Sequence, residues 1–216
     1  MTQESFYVPI DALGLVAFAH EASPTRANMQ GINISNVPGE PQKLRATATN
    51  GHLMLSVSWL PCEKPDTDPA YLPGVINFTL PADICHQMLK AVARDTKWLE
   101  LTRDTKKPGH DVWLLSAGAV SRAFETLKGD QTYLFVDQDQ LWDQKPGKSA
   151  EAGKFGVDLE LLLNIAKYLK KYRTNAYTKW TTYDAYEPLR FVGLSTGRSK
   201  TGIDVDIKGL VMPVRT

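Results

Sequence analysis

The chain has 216 residues, 43% hydrophobic and 23% charged, with a formal net charge of +1. Those values belong to a globular chain long enough to bury a core without staples. They exclude a generally basic protein that grips nucleic acid through bulk charge, although a basic stripe on one face is still allowed. The two cysteines, Cys62 and Cys85, are far apart and make no CxxC pair. Buried reduced thiols are the expected state. The N-terminus MTQESFYVPIDALGL lacks a basic region followed by a long apolar run, and no segment nears 18 consecutive apolar residues. Neither a signal peptide nor a membrane span is expected, and the expected compartment is the cytoplasm.

In chain order, one pattern recurs three times. Tyr7 to Ala22, Phe78 to Ala93 and Phe155 to Lys170 each begin with an aromatic residue in a short extended run. Each then carries helix-start residues: Pro9 and Asp11, Pro81 and Asp83, and Asp158. Proline suits the first helical turn, and aspartate suits the cap or the positive end of the dipole. Apolar residues at helical spacing follow, as in Leu159, Leu162, Leu163, Ala166 and Leu169.

Three β-type runs follow each helix. After the first they are Met29–Ser35, Lys43–Thr49 and His52–Trp59, broken at Pro38-Gly39 and at Asn50-Gly51, a hairpin signal. After the second they are Trp98–Thr102, Asp111–Ser116 and Ser121–Thr126, with a turn at Pro108-Gly109. After the third they are Tyr177–Tyr183, Leu189–Ser195 and Ile203–Val214. The unit is strand, helix, three strands, at a period of about 71 to 77 residues. This predicts an α+β fold of antiparallel sheets with helices on one face. The Gly-, Asp-, Gln- and Lys-rich stretch 128–153 reads as a linker. It divides a two-unit domain, 1–127, from a one-unit remainder, 154–216.

Two motifs are more specific: Ala48-Thr49-Asn50-Gly51-His52-Leu53-Met54, and the C-terminal Leu210-Val211-Met212-Pro213-Val214-Arg215-Thr216. Together they resemble the bacterial DNA polymerase III beta sliding clamps, which carry an ATDGHRLA-like turn and end in an MPxR-like tail. Residues 5 to 137 resemble the family's middle domain. That stretch includes Gly31-Ile32, Phe78-Thr79-Leu80-Pro81 and Lys128-Gly129-Asp130-Gln131-Thr132-Tyr133. Residues 153 to 216 resemble the second half of its last domain. Asn50 stands where the family has aspartate and Leu53 where it has arginine, and the linker lacks its proline. The family's first domain and the first half of its last domain have no counterpart in this sequence.

The resemblance implies a DNA-clamp (processivity) fold without catalysis. It also implies a hydrophobic cleft for short glutamine- and leucine-rich peptides of DNA polymerases, clamp loaders and repair proteins. One wall would be Thr49, Gly51, His52, Leu53 and Met54, and the other Val211, Met212, Pro213, Val214 and Arg215. Methionine adapts to several partners, Gly51 leaves room for a ligand, and arginine can hold a carboxylate or carbonyl at the rim. A clamp ring has about twelve such units, so three per chain implies a homo-oligomer of four chains. The alternatives are a monomeric decoy or regulator of clamp partners that does not encircle DNA, and an unrelated α+β enzyme.

Clamp helices present cations to double-stranded DNA without sequence specificity. Candidates are Lys90 and Arg94 on the second helix and Lys167, Lys170, Lys171 and Arg173 on or after the third. The first helix offers only His20 and Arg26. A helix end favoured by its dipole explains the three lysines equally well.

Enzyme signatures are missing. His20, His52, His86 and His110 show no HExxH or zinc spacing, and no cofactor or metal is expected. Gly197 to Gly202 has phosphate-loop glycine spacing, but Ile203-Asp204 follows where Lys and Ser/Thr are required, so it reads as a hairpin turn. No GxSxG or GxGxxG occurs. Asp204 and Asp206 alternate on a predicted strand, as exposed strand residues do.

Overall fold

The computed structural model describes residues 4–20, 29–61, 75–104, 110–127, 138–143, 158–172, 177–181, 189–194 and 205–212. The first unit is β1 (Glu4–Pro9), α1 (Ile10–Val16) continued by a 3-10 turn (Ala17–Ala19), β2 (Ile32–Val37), β3 (Glu40–Thr49) and β4 (Leu53–Trp59). The second is β5 (Asn77–Leu80), α2 (Ala82–Ala91), β6 (Trp98–Asp104), β7 (His110–Ala117) and β8 (Val120–Leu127). A short helix, α3 (Gln138–Asp143), precedes the third: α4 (Leu159–Tyr172), β9 (Tyr177–Thr181), β10 (Leu189–Leu194) and β11 (Asp206–Val211).

The helix starts follow two designs. Pro9 and Pro81 occupy the N-cap positions in extended backbone, and neither helix has a side-chain cap bond. Their aspartates, Asp11 and Asp83, lie in the first turn, where negative charge faces the positive end of the dipole. Asp158 is a true cap: its Oδ1 accepts from the Glu160 N–H at 2.8 Å. β2 starts at Ile32, later than expected, because Gly31 makes a sharp turn with φ +78. A Cβ there would meet the Leu80 carbonyl oxygen at 2.6 Å, so glycine lets β2 and β5 approach.

Among the described residues all strand pairings are antiparallel and form two sheets. One has the order β1-β6-β7-β8 and the other β5-β2-β3-β4-β11-β10-β9. The first two units exchange their opening strands: β1 lies beside β6 of the second unit, and β5 beside β2 of the first. The third unit joins through β11, which pairs with β4. The core lies between the sheets and the helices, where Phe6, Leu13, Leu15, Ile34, Leu55, Met88, Leu101 and Phe191 are buried. Trp113 stacks on Phe78 at 4.1 Å and meets Phe6 edge-on at 6.0 Å. α4 buries Ile165 and Leu169, and its Tyr168 stacks on Phe18 at 4.2 Å. Burial pushes the Cys85 thiol up to about 12, leaving a packing group without thiolate reactivity at neutral pH.

The expected linker 128–153 contains a helix that the sequence pattern did not predict. α3 (QDQLWD) has no apolar face of its own, and tertiary contacts hold it. Asp139 pairs with Arg45 of β3 at 2.7 Å, and Lys208 of β11 lies 5.4 Å from the Trp142 ring. Cys62, the turn at Pro108-Gly109, the extended run at Phe155, Gly197 to Gly202 and Asp204 lie outside the described residues.

Candidate peptide-binding site

The Thr49–Met54 turn is built by its own polar groups. Asn50 Oδ1 accepts from the His52 N–H at 3.0 Å and from the Leu53 N–H at 2.8 Å. A carboxylate oxygen would accept the same two bonds, so asparagine can take the family's aspartate position here. Thr49 Oγ1 donates to the Leu53 carbonyl at 2.9 Å and accepts from the Gly51 N–H at 3.1 Å. Gly51 turns the chain at φ +83. Gly51 and His52 stand exposed at the tip.

β11 runs antiparallel to β4, with Leu53 opposite Val211 and Met54 opposite Leu210. Past the strand end, the Met212 N–H donates to the His52 carbonyl at 2.8 Å. The ladder therefore joins the last described residues of the chain to the turn at position 50. Strand alternation sorts the side chains into two faces. Leu53 and Val211 point into the main core, at 1% and 0% exposure. They support the candidate site from behind, which corrects the expectation that they line it. Thr49, Met54 and Leu210 form a cross-strand row on the opposite face, buried but apart from that core. Met212, next on this face by alternation, is 42% exposed. Pro213, Val214 and Arg215 lie outside the described residues.

Two residues of this row were not anticipated. Leu210 was readable, because counting back two positions from Met212 gives the same strand face. Arg190 was not, because only the β10–β11 register sets it opposite Leu210, where it is buried. α3 lies further along the same face, against Arg45 and Lys208. The row is thus flanked by the helix from the linker stretch at one end and by the exposed Met212 at the other.

The candidate DNA-contacting cations are spread over two helices. Lys90 in the last turn of α2, Arg94 just beyond it, and Lys167, Lys170 and Lys171 on α4 are all exposed. α1 packs against both helices and separates them. Arg173 and Arg26 lie outside the described residues. Near α1, the rings of His20 and His86 are 5.1 Å apart. Burial, then His20 and Lys90, holds His86 below the usual histidine range against the opposing pull of Asp83. Among the described residues no group of His, Cys, Asp or Glu could hold a metal ion, and no helix is long and apolar enough to cross a membrane.

No family model and no curated protein matches the sequence. Solved structures do match. A Caulobacter crescentus pol III beta superposes with a TM-score of 0.66 at 14% identity, over 99% of this chain and 66% of that one. A Bartonella birtlesii DnaN sliding clamp bound to griselimycin gives 0.64 at 16%, over 98% and 66%. A Bacillus subtilis DNA polymerase sliding clamp gives 0.64 at 16%, over 99% and 64%. The chain thus spans slightly less than two-thirds of the length of these structures. With its exchanged strands, antiparallel sheets and helices on one side, the chain has the fold of the bacterial DNA polymerase III beta sliding clamps.

Proposed function

We propose that the chain is a non-catalytic, clamp-like protein that binds short hydrophobic peptides of replication or repair proteins, in the cytoplasm, at the junction of β4 and β11. In this reading residues 1–127 are a complete clamp-like domain and 154–216 a half domain, joined by the stretch 128–153. The observation that carries it is the continuous ladder ending in the Met212–His52 hydrogen bond. It sets the turn beside Met212, with Thr49, Met54, Leu210 and Met212 on one face. Leu53 and Val211 fix the backbone beneath them. Gly51, His52 and Met212 are the exposed entrance, and Pro213, Val214 and Arg215 are proposed to complete the rim. Burying two or three leucine-sized side chains contributes roughly 1.5–3 kcal/mol each before ordering costs. A micromolar complex, about −8 kcal/mol, is the expected net.

Ring formation and polymerase processivity are the further step of this proposal. Double-stranded DNA would be held by backbone contacts from Lys90, Arg94, Lys167, Lys170, Lys171 and Arg173. A monomer that binds peptide but not DNA would act as a decoy for clamp partners instead.

Fluorescence anisotropy with a labelled glutamine- and leucine-rich peptide tests the site. Micromolar binding to the wild type, weakened at least tenfold by Met212→Asp, supports it. Met212 is partly exposed, so this variant should remain folded. Failure to bind at millimolar protein, or equal affinity in the variant, overturns it.

A further inference from the structure

We infer that the third unit is an open half-domain, completed by the third unit of a second copy of this chain, with the two α4 helices packed antiparallel about a twofold axis. The first two units show what completion requires. Each receives its outer strand from the other, and their helices α1 and α2 are in contact. The third unit has α1 on one side of α4. On the other side, among the described residues, no helix packs and no strand borders the outer edge of β9.

The uncovered side of α4 carries an apolar stripe. Leu159 and Leu163 are 73% and 69% exposed, and Ala166 continues the same stripe. Two leucines one helical turn apart and open to water mark an interaction surface. The charges indicate a second copy as the occupant. Glu160 lies at the acidic start of the helix and Lys170 at its basic end, both exposed. An antiparallel twin sets Glu160 of each copy near Lys170 of the other, with Leu163 facing Ala166 between them. Such a self-complementary patch is what a twofold interface needs. Glu160 and Lys167, seven residues apart, flank this stripe on the same side.

Sedimentation equilibrium of the full chain tests the inference. The wild type should reach a mass of at least about 48 kDa, twice the 24.0 kDa chain. Leu163→Glu, on an exposed position, should halve that mass while the circular dichroism spectrum is unchanged. Glu160→Lys and Lys170→Glu should each weaken association at least tenfold, and the two together should restore it. That restoration separates intermolecular pairing from an effect on the helix dipole, which the double exchange would worsen. A wild-type monomer at about 100 µM, a mass unaffected by Leu163→Glu, or a double exchange no better than either single one overturns the inference. A monomer that still binds the peptide would refute this interface and leave the peptide site standing.

Discussion

Gly209 is the position where the junction that carries the candidate site is most sensitive to a single added carbon. It sits in the middle of β11, opposite Leu55 of β4 on one side and Phe191 of β10 on the other. A Cβ built there would run into the Phe191 ring and lie 3.0 Å from Leu55 Cδ2. Phe191 is fully buried and leans on Trp180 at 4.6 Å, so it has no free space to enter. Gly209→Ala should therefore cost about 1–3 kcal/mol, the range for overpacking a filled core. For a domain of this length that lowers the melting midpoint by about 2–12 °C. Thermal denaturation followed by circular dichroism reads the shift. Peptide affinity should fall with it, because β11 presents Leu210 and Met212. A midpoint within about 1 °C of the wild type would refute the β4–β11–β10 register.

Three further outcomes follow from the same geometry. Asn50→Ala removes the acceptor of two backbone N–H groups and should cost about 1–2 kcal/mol in denaturant unfolding. Asn50→Asp should cost much less, because it keeps that acceptor; equal losses would contradict the turn. His86 is held below its ordinary value of 6.5 by burial. Its folded form binds fewer protons than the unfolded one, so its contribution to stability is complete above about 6.5 and is lost as pH falls below that value. His86→Gln should flatten this decline between pH 7 and 5, and an unaltered pH profile of the melting midpoint would refute it. If four of the exposed helix cations touch phosphates, DNA affinity should fall on the order of 100-fold between about 50 and 200 mM salt. Lys167→Glu should flatten the slope, and a salt-independent affinity would remove the DNA contact.

The repeat of a helix followed by three strands was legible because each unit carries its own local signals. Pro9, Pro81 and Asp158 mark helix starts, and Asn50-Gly51 marks a hairpin. Exchange of β1 and β5 between units was not legible, because nothing local distinguishes a strand that pairs within its unit from one that crosses to another. The turn and the tail could be singled out by resemblance, but their contact depends on β11 choosing β4, a pairing of residues 148 to 158 apart in sequence. The motif grouped Leu53 with Met54 and Val211 with Met212. The pleat separates them, one of each pair facing the core and the other facing away. α3 was missed because six mostly polar residues carry no periodicity. Arg45 and Lys208, distant in sequence, hold it in place.

Methyl-labelled methionine offers the most direct view of the central claim. Met54 and Met212 share the proposed peptide face, whereas Met88 is buried in the core among the helices. Titration with the unlabelled peptide, followed by NMR, should move the Met212 and Met54 methyl signals together and leave Met88 in place. A peptide that binds while both signals stay still, or that moves Met88 alone, would contradict the account.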